Sequence, residues 1–261
     1  MSTENPINVS IDGHVGIIEL NRPHKFNCLA IESHESILQT LARWRADRQV
    51  RSILVCSTGR HFCTGADLDS VQRFREDTSQ LAHFIHTGHA ALRALENSGV
   101  PTVVAVHGMC LAGGLELMLA CDVAFAAADA LLGDQHAQFG LIPGWGASQR
   151  LPRIVGMRRA MDLFYTARRI DAATAQDWGL VNYVCPPETL RQQALDYCHS
   201  LTRRSASGLA TMKRLAYGGV DMTLDQSLAM EEDVALTALR STDASEGLQA
   251  FMERREPVFT K

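Results

Sequence analysis

The sequence predicts an α/β fold whose short strands share a core sheet, followed by a C-terminal helical region. Three observations carry this expectation. Ser52–Cys56, Thr102–Val106 and Val123–Ala127 are short apolar runs of the kind that form buried strands. The segments between them place apolar residues at helical spacing. From Met157 onward the composition turns almost wholly helical.

Taken in order, Val9–Ile11 and Val15–Leu20 flank Asp12-Gly13, a turn pair that predicts an opening hairpin. Asn21-Arg22-Pro23 breaks that pattern. Ile37, Leu38, Leu41 and Trp44 then mark a helix from Ile31 to Trp44. The strand Ser52–Cys56 ends at Ser57-Thr58-Gly59, and a long helix follows from about Gln80 to Leu95. Asn97-Ser98-Gly99 and Pro101 stop it. After the strand Thr102–Val106 come a loop with Gly108, Gly113 and Gly114, a short helix to about Ala120, and the strand Val123–Ala127. One further strand is expected near Val181–Cys185. Helices are expected at Met157–Ala167, Ala172–Trp178, Glu188–Arg203, Ala206–Tyr217, Thr223–Leu239 and Thr242–Arg255. No internal repeat or linker interrupts the chain, so the division into a core (1–200) and a helical remainder (201–261) is a soft one.

Composition narrows the class. The chain has 261 residues, 46% hydrophobic and 21% charged, which excludes intrinsic disorder and disulfide scaffolds. A net charge of -4, with arginine doublets scattered along the chain, gives no electrostatic reason to expect nucleic acid. Seven cysteines without a CxxC pair suit reduced thiols in a core. The opening residues lack the pattern of a signal peptide, and no run is long enough to span a bilayer, so a soluble cytoplasmic protein is expected.

The most apolar span, Val100 to Leu132, contains His107, Glu116 and Asp122. Ionisable groups cost free energy in such a segment unless they are paired or used. Gly108-Met109-Cys110-Leu111-Ala112-Gly113-Gly114-Leu115-Glu116 follows a buried strand and opens a helix. Its glycines permit close backbone approach, and the first helical N–H groups are unpaired donors able to hold a developing oxyanion. Phe62-Cys63-Thr64-Gly65-Ala66-Asp67 could aim a second N–H at the same oxygen. On spacing alone, both segments also fit ordinary strand-to-helix turns, with Glu116 an acid in a first turn. His83, His86 and His89 recur at three-residue spacing without an HExxH arrangement, and no metal is expected.

Five ordered blocks now join: Asn21-Arg22-Pro23 with Asn27-Cys28-Leu29; Phe62-Cys63-Thr64-Gly65-Ala66-Asp67-Leu68; Ala112-Gly113-Gly114-Leu115-Glu116; Ile142-Pro143-Gly144-Trp145-Gly146 with Gln149-Arg150-Leu151; and Gly179-Leu180-Val181 with the closing Phe251-Met252-Glu253-Arg254-Arg255. Together they resemble the enoyl-CoA hydratase/isomerase (crotonase) family across nearly the whole chain. The resemblance implies a superhelix of stacked ββα turns with a C-terminal helical region that closes the site and mediates assembly as a homotrimer or dimer of trimers. It implies an acyl-CoA thioester as substrate, coenzyme A being part of that substrate, and no separate cofactor. The thioester oxygen would lie between the backbone N–H groups of Ala66 and Gly113. Lys25, Phe26, Asp67 and Leu68 would lie toward the CoA end, and Met109 and Gly144 complete the implied substrate-binding set.

One position departs from the family pattern. Hydratases of the family carry two glutamates that hold one water; the first matches Glu116, whereas the second falls at His136 in Gly133-Asp134-Gln135-His136. Hydration needs one proton taken from water and another delivered to the α-carbon. Glu116 could cycle one proton alone, or His136 could share the acid and base roles. Alternatively, Glu116 shuttles a proton between carbons in a double-bond isomerase, or the imidazole supports hydrolysis or another enolate reaction such as decarboxylation. A non-catalytic RNA-binding relative is the remaining alternative. His136 also fits a neutral wall residue, Trp145 either narrows the acyl pocket or simply packs, and His107 and Asp122 fit structural roles.

Overall fold

The computed structural model describes residues 5–259. The opening hairpin pairs β1 (Ile7–Asp12) with β2 (Val15–Leu20) in antiparallel register, Ile7 opposite Leu20 and Asp12 opposite Val15. Helix α1 (Ile31–Asp47) buries Ile37, Leu41 and Trp44 along one face. A Cβ at Gly16 would stand 2.7 Å from the Trp44 ring, so only glycine lets that indole lie against β2. Next come β3 (Ser52–Ser57), α2 (Leu68–Phe74) and α3 (Thr78–Glu96).

The central chain then alternates between two sheets. β4 (Thr102–Val106) is followed by β5 (Met109–Leu111) and α4 (Gly113–Leu119); β6 (Val123–Ala127) is followed by β7 (Leu131–Gly133) and, after a 3-10 turn at His136–Phe139, by α5 (Ala147–Val155) and α6 (Met157–Thr166). β8 (Ile170–Asp171), α7 (Ala172–Asp177) and β9 (Tyr183–Cys185) complete the strands. The larger sheet has six strands in the order β1-β2-β3-β4-β6-β9, and the smaller has three in the order β5-β7-β8. Each repeat thus lays one strand in each sheet and returns by a helix, which stacks ββα turns into a superhelix. From β2 to β9 the larger sheet is parallel. That arrangement explains the unbroken burial of β3 and β4, since helices cover such a sheet on its faces.

The chain ends in four helices: α8 (Leu190–Thr202), which belongs almost wholly to the core, and α9 (Ala206–Gly219), α10 (Leu224–Ala238) and α11 (Thr242–Glu253) of the helical remainder. α8 packs on β3, whereas α9 is tethered by Lys213, whose Nζ lies 2.8 Å from Asp122 Oδ2. Tyr217 donates to the other oxygen of Asp122 at 3.0 Å. Asp122 also accepts from the Thr102 N–H, so this acid of the apolar span serves structure. No helix among the described residues is long and apolar enough to cross a membrane.

Candidate active site

The turn after β3 and the start of α4 are brought together by two short bridges. Leu29 N–H donates to Gly65 C=O and Asp67 N–H to Leu29 C=O, which turns the N–H of the intervening Ala66 away from Leu29. Cys63 N–H donates to Met109 C=O and Leu111 N–H to Cys63 C=O, pinning the same turn against β5. Gly114 is required at this approach, because a Cβ there would stand 2.3 Å from the Cys63 carbonyl oxygen. The Ala112 backbone, at φ 48 and ψ -119, makes the sharp bend that starts α4. A non-glycine residue in that conformation is strained, as is common where a site over-determines the backbone. Gly113 then opens the helix with an N–H that has no intrahelical acceptor. A Cβ on Gly113 would lie 3.3 Å from Ala66 N, so the two backbone segments approach closely here.

Glu116 sits one turn further along α4 and is 1% exposed. Its Oε1 accepts from the backbone N–H of Trp145 at 2.7 Å and of Ala147 at 3.0 Å. These bonds fix one oxygen and leave Oε2 to face His136 Nε2 across 3.9 Å. That loop is itself held from behind, where Arg150 bonds the Trp145 carbonyl at 2.9 Å and Glu96 at 2.9 Å. Burial raises the Glu116 pKa above its ordinary value, and the Ala147 N–H and the nearby His136 offset this only in part. The carboxyl is therefore a stronger base than a solvated glutamate.

His136 begins the 3-10 turn, and its Nδ1 is 2.9 Å from Asp134 Oδ1. Gln135 takes the left-handed conformation (φ 56), which folds Asp134 and His136 toward one another. The Gln135 side chain is anchored by Arg169, whose Nε and Nη2 donate to its Oε1, each at 3.3 Å. Burial works against charge on His136, but the Asp134 hydrogen bond and the two flanking carboxylates outweigh it and raise the pKa. Asp134 is 1% exposed and was not singled out from the sequence; an aspartate two residues before a histidine in a turn was its only signal.

The other expected residues divide into groups. Phe26 (54% exposed) and Leu68 (49% exposed) stand at the surface beside the site, and Lys25 pairs with Asp69 at 2.6 Å. The Asp67 side chain and backbone are committed elsewhere: the carboxylate pairs with Arg22 at 2.7 Å and caps α2, its N–H donates to Leu29 C=O, and its C=O accepts from Ser70 and Val71. Met109 starts β5 and takes a contact from Arg169 at its sulfur, and Gly144 faces Ile85. His107 bonds the Gly59 carbonyl at 2.9 Å, a loop-packing role. Among the described residues no three His, Cys, Asp or Glu side chains are grouped to hold a metal. Trp145 is buried between His34 and Phe84, with ring centroids 4.5 and 5.3 Å away.

Comparison with known proteins places the chain among relatives. The model of a family described as enoyl-CoA hydratase/isomerase matches residues 10–261. A Mycobacterium tuberculosis protein named "Probable enoyl-CoA hydratase echA8" is 34% identical over 260 residues, covering 99% of both chains. Human mitochondrial methylglutaconyl-CoA hydratase is 32% identical over 93% of this chain and 73% of its own length. Among solved structures, an enoyl-CoA hydratase from Bacillus anthracis superposes with a TM-score of 0.92 at 33% identity, covering 97% of this chain and 98% of the other. One from Polaromonas sp. JS666 gives 0.94 at 29% identity, covering 97% and 99%.

Proposed function

Because the chain belongs to the enoyl-CoA hydratase/isomerase family, we propose that it adds water to a 2-enoyl-CoA thioester, with Glu116 and His136 acting together on one water. The observation that carries this reading is the gap between Glu116 Oε2 and His136 Nε2. At 3.9 Å it is too wide for a direct hydrogen bond, and a water placed to one side can reach both groups at about 2.8 Å.

The steps follow from the donors and charges. The thioester oxygen accepts from the Ala66 and Gly113 N–H groups, which stabilise the enolate as C3 is attacked. Glu116, ionised and fixed by its two backbone donors, takes a proton from water as the oxygen bonds to C3. His136, whose protonated form Asp134 favours, gives its Nε2 proton to C2 as the enolate collapses. Glu116 then carries one proton more and His136 one fewer, and exchange through solvent restores both. Their roles reverse in dehydration. The substrate supplies the coenzyme A, so this route draws on no separate cofactor.

Purified protein is expected to bleach the 2-enoyl absorbance of crotonyl-CoA. Glu116→Gln should lower turnover by at least about 10²-fold, because the amide cannot accept the proton. A full-rate Glu116→Gln protein would remove this assignment.

A further inference from the structure

Resting on that reading, we infer that Trp145 closes the inner end of the acyl pocket and restricts the enzyme to short-chain 2-enoyl thioesters. On that reading the substrate would enter acyl tail first and leave its CoA outside, beside Phe26 and Leu68, which are exposed. With its carbonyl at Gly113 and its double bond between Glu116 and His136, a longer tail would have to continue past the residue that touches both, Trp145, whose backbone N–H donates to Glu116 Oε1 at 2.7 Å and whose ring lies against Gly113. What it meets there is the indole of Trp145, only 2% exposed.

The indole lies across two bare Cα atoms. A Cβ on Gly113 would stand 2.5 Å from Trp145 Cζ3, and a Cβ on Gly88 in α3 would stand 2.2 Å from its Nε1. His34 and Phe84 occupy further sides of the ring at centroid distances of 4.5 and 5.3 Å. The wall is thus braced from α1, α3 and α4, and the indole has little room to swing away. Interiors packed to this density do not admit extra methylenes without strain. Neither the His34 ring nitrogens nor Trp145 Nε1 have a hydrogen-bond partner among the described residues. Burial pushes His34 down to about 4, so the wall is uncharged at neutral pH and an apolar methyl terminus can rest against it.

Binding of saturated thioesters, which cannot be hydrated, tests this directly. In an open apolar channel each added methylene strengthens binding by about fourfold, so decanoyl-CoA would bind far more tightly than butyryl-CoA. Titration calorimetry on the unaltered protein is expected to show the reverse, with decanoyl-CoA weaker by about tenfold or more. Trp145→Ala should invert that order, and Trp145→Leu, which keeps an apolar filler, should narrow it. Tighter decanoyl-CoA binding by the unaltered protein, an unchanged order in a folded Trp145 variant, or no binding of butyryl-CoA would each overturn the inference. The two readings fail separately: discrimination between the thioesters without hydration of crotonyl-CoA removes the hydratase assignment alone, and hydration without discrimination removes the wall alone.

Discussion

Glu116 and His136 owe their shifted titration to different neighbours. Glu116 is raised by burial, whereas His136 is raised by its carboxylates against the effect of burial. Activity on the proposed route needs Glu116 ionised and His136 protonated. The kcat/KM profile is therefore expected to be bell-shaped, its acid limb above the ordinary glutamate value of 4.5 and its alkaline limb above the ordinary histidine value of 6.5. His136→Gln should abolish the alkaline limb and cost about 10²- to 10⁴-fold in rate. Asp134→Asn removes the partner that favours imidazolium, so the alkaline limb should move to lower pH while the acid limb moves little. An alkaline limb unmoved in Asp134→Asn would show that the Nδ1 contact does not govern the histidine. At this scale Glu116, Gly113 and His136 could be singled out as candidates because their residue types stood out in an apolar span or departed from a pattern. Asp134 and Arg150 were not, since their value comes from contacts made only when β7, α3 and α5 converge.

At the scale of elements, β4 and β6 match their sequence-predicted bounds because burial on both faces leaves no alternation to misread. The predicted helix to Trp44 runs on to Asp47, and the long helix begins at Thr78 rather than Gln80, shifts of the size expected at frayed ends. β7 and β8, with three and two residues, are too short to show periodicity and form because neighbouring strands offer them partners. α5 was hidden by Gly146 and by Pro152 inside it, although Ala147, Leu151 and Val155 form a buried stripe that offsets the lost hydrogen bond. α2 follows its Asp67 cap, a start signal that was read as part of the oxyanion turn. The glycine at the head of α4 carries a strict demand. Gly113→Ala would drive a methyl into Trp145 Cζ3 and toward Ala66 N. It should cost about 1–3 kcal/mol of stability and about 10²-fold or more in turnover. Chemical denaturation and steady-state rates check both; a Gly113→Ala protein of normal stability and rate would argue against the close approach.

Across the whole molecule, the helical remainder is built unlike the core. α9 and α10 bury no residue completely, while Leu224, Leu236 and Leu239 are each more than 60% exposed. In α11, Phe251 and Met252 are 82% and 75% exposed. Apolar helix faces of this extent are characteristic of surfaces that a partner covers. We propose that copies of this chain cover them in a trimer or a dimer of trimers, and that residues 201–261 form the assembling part. Analytical ultracentrifugation should find a trimer or hexamer, and Leu236→Glu with Leu239→Glu should shift it toward monomer. A monodisperse monomer of the unaltered chain would contradict this. The catalytic expectations hang on the reaction itself, and one measurement reaches it directly: mass spectrometry of the product formed from crotonyl-CoA in ¹⁸O-labelled water. The account predicts a thioester heavier by one water, with the label on C3. A rearranged thioester of unchanged mass, or release of free coenzyme A, would contradict it.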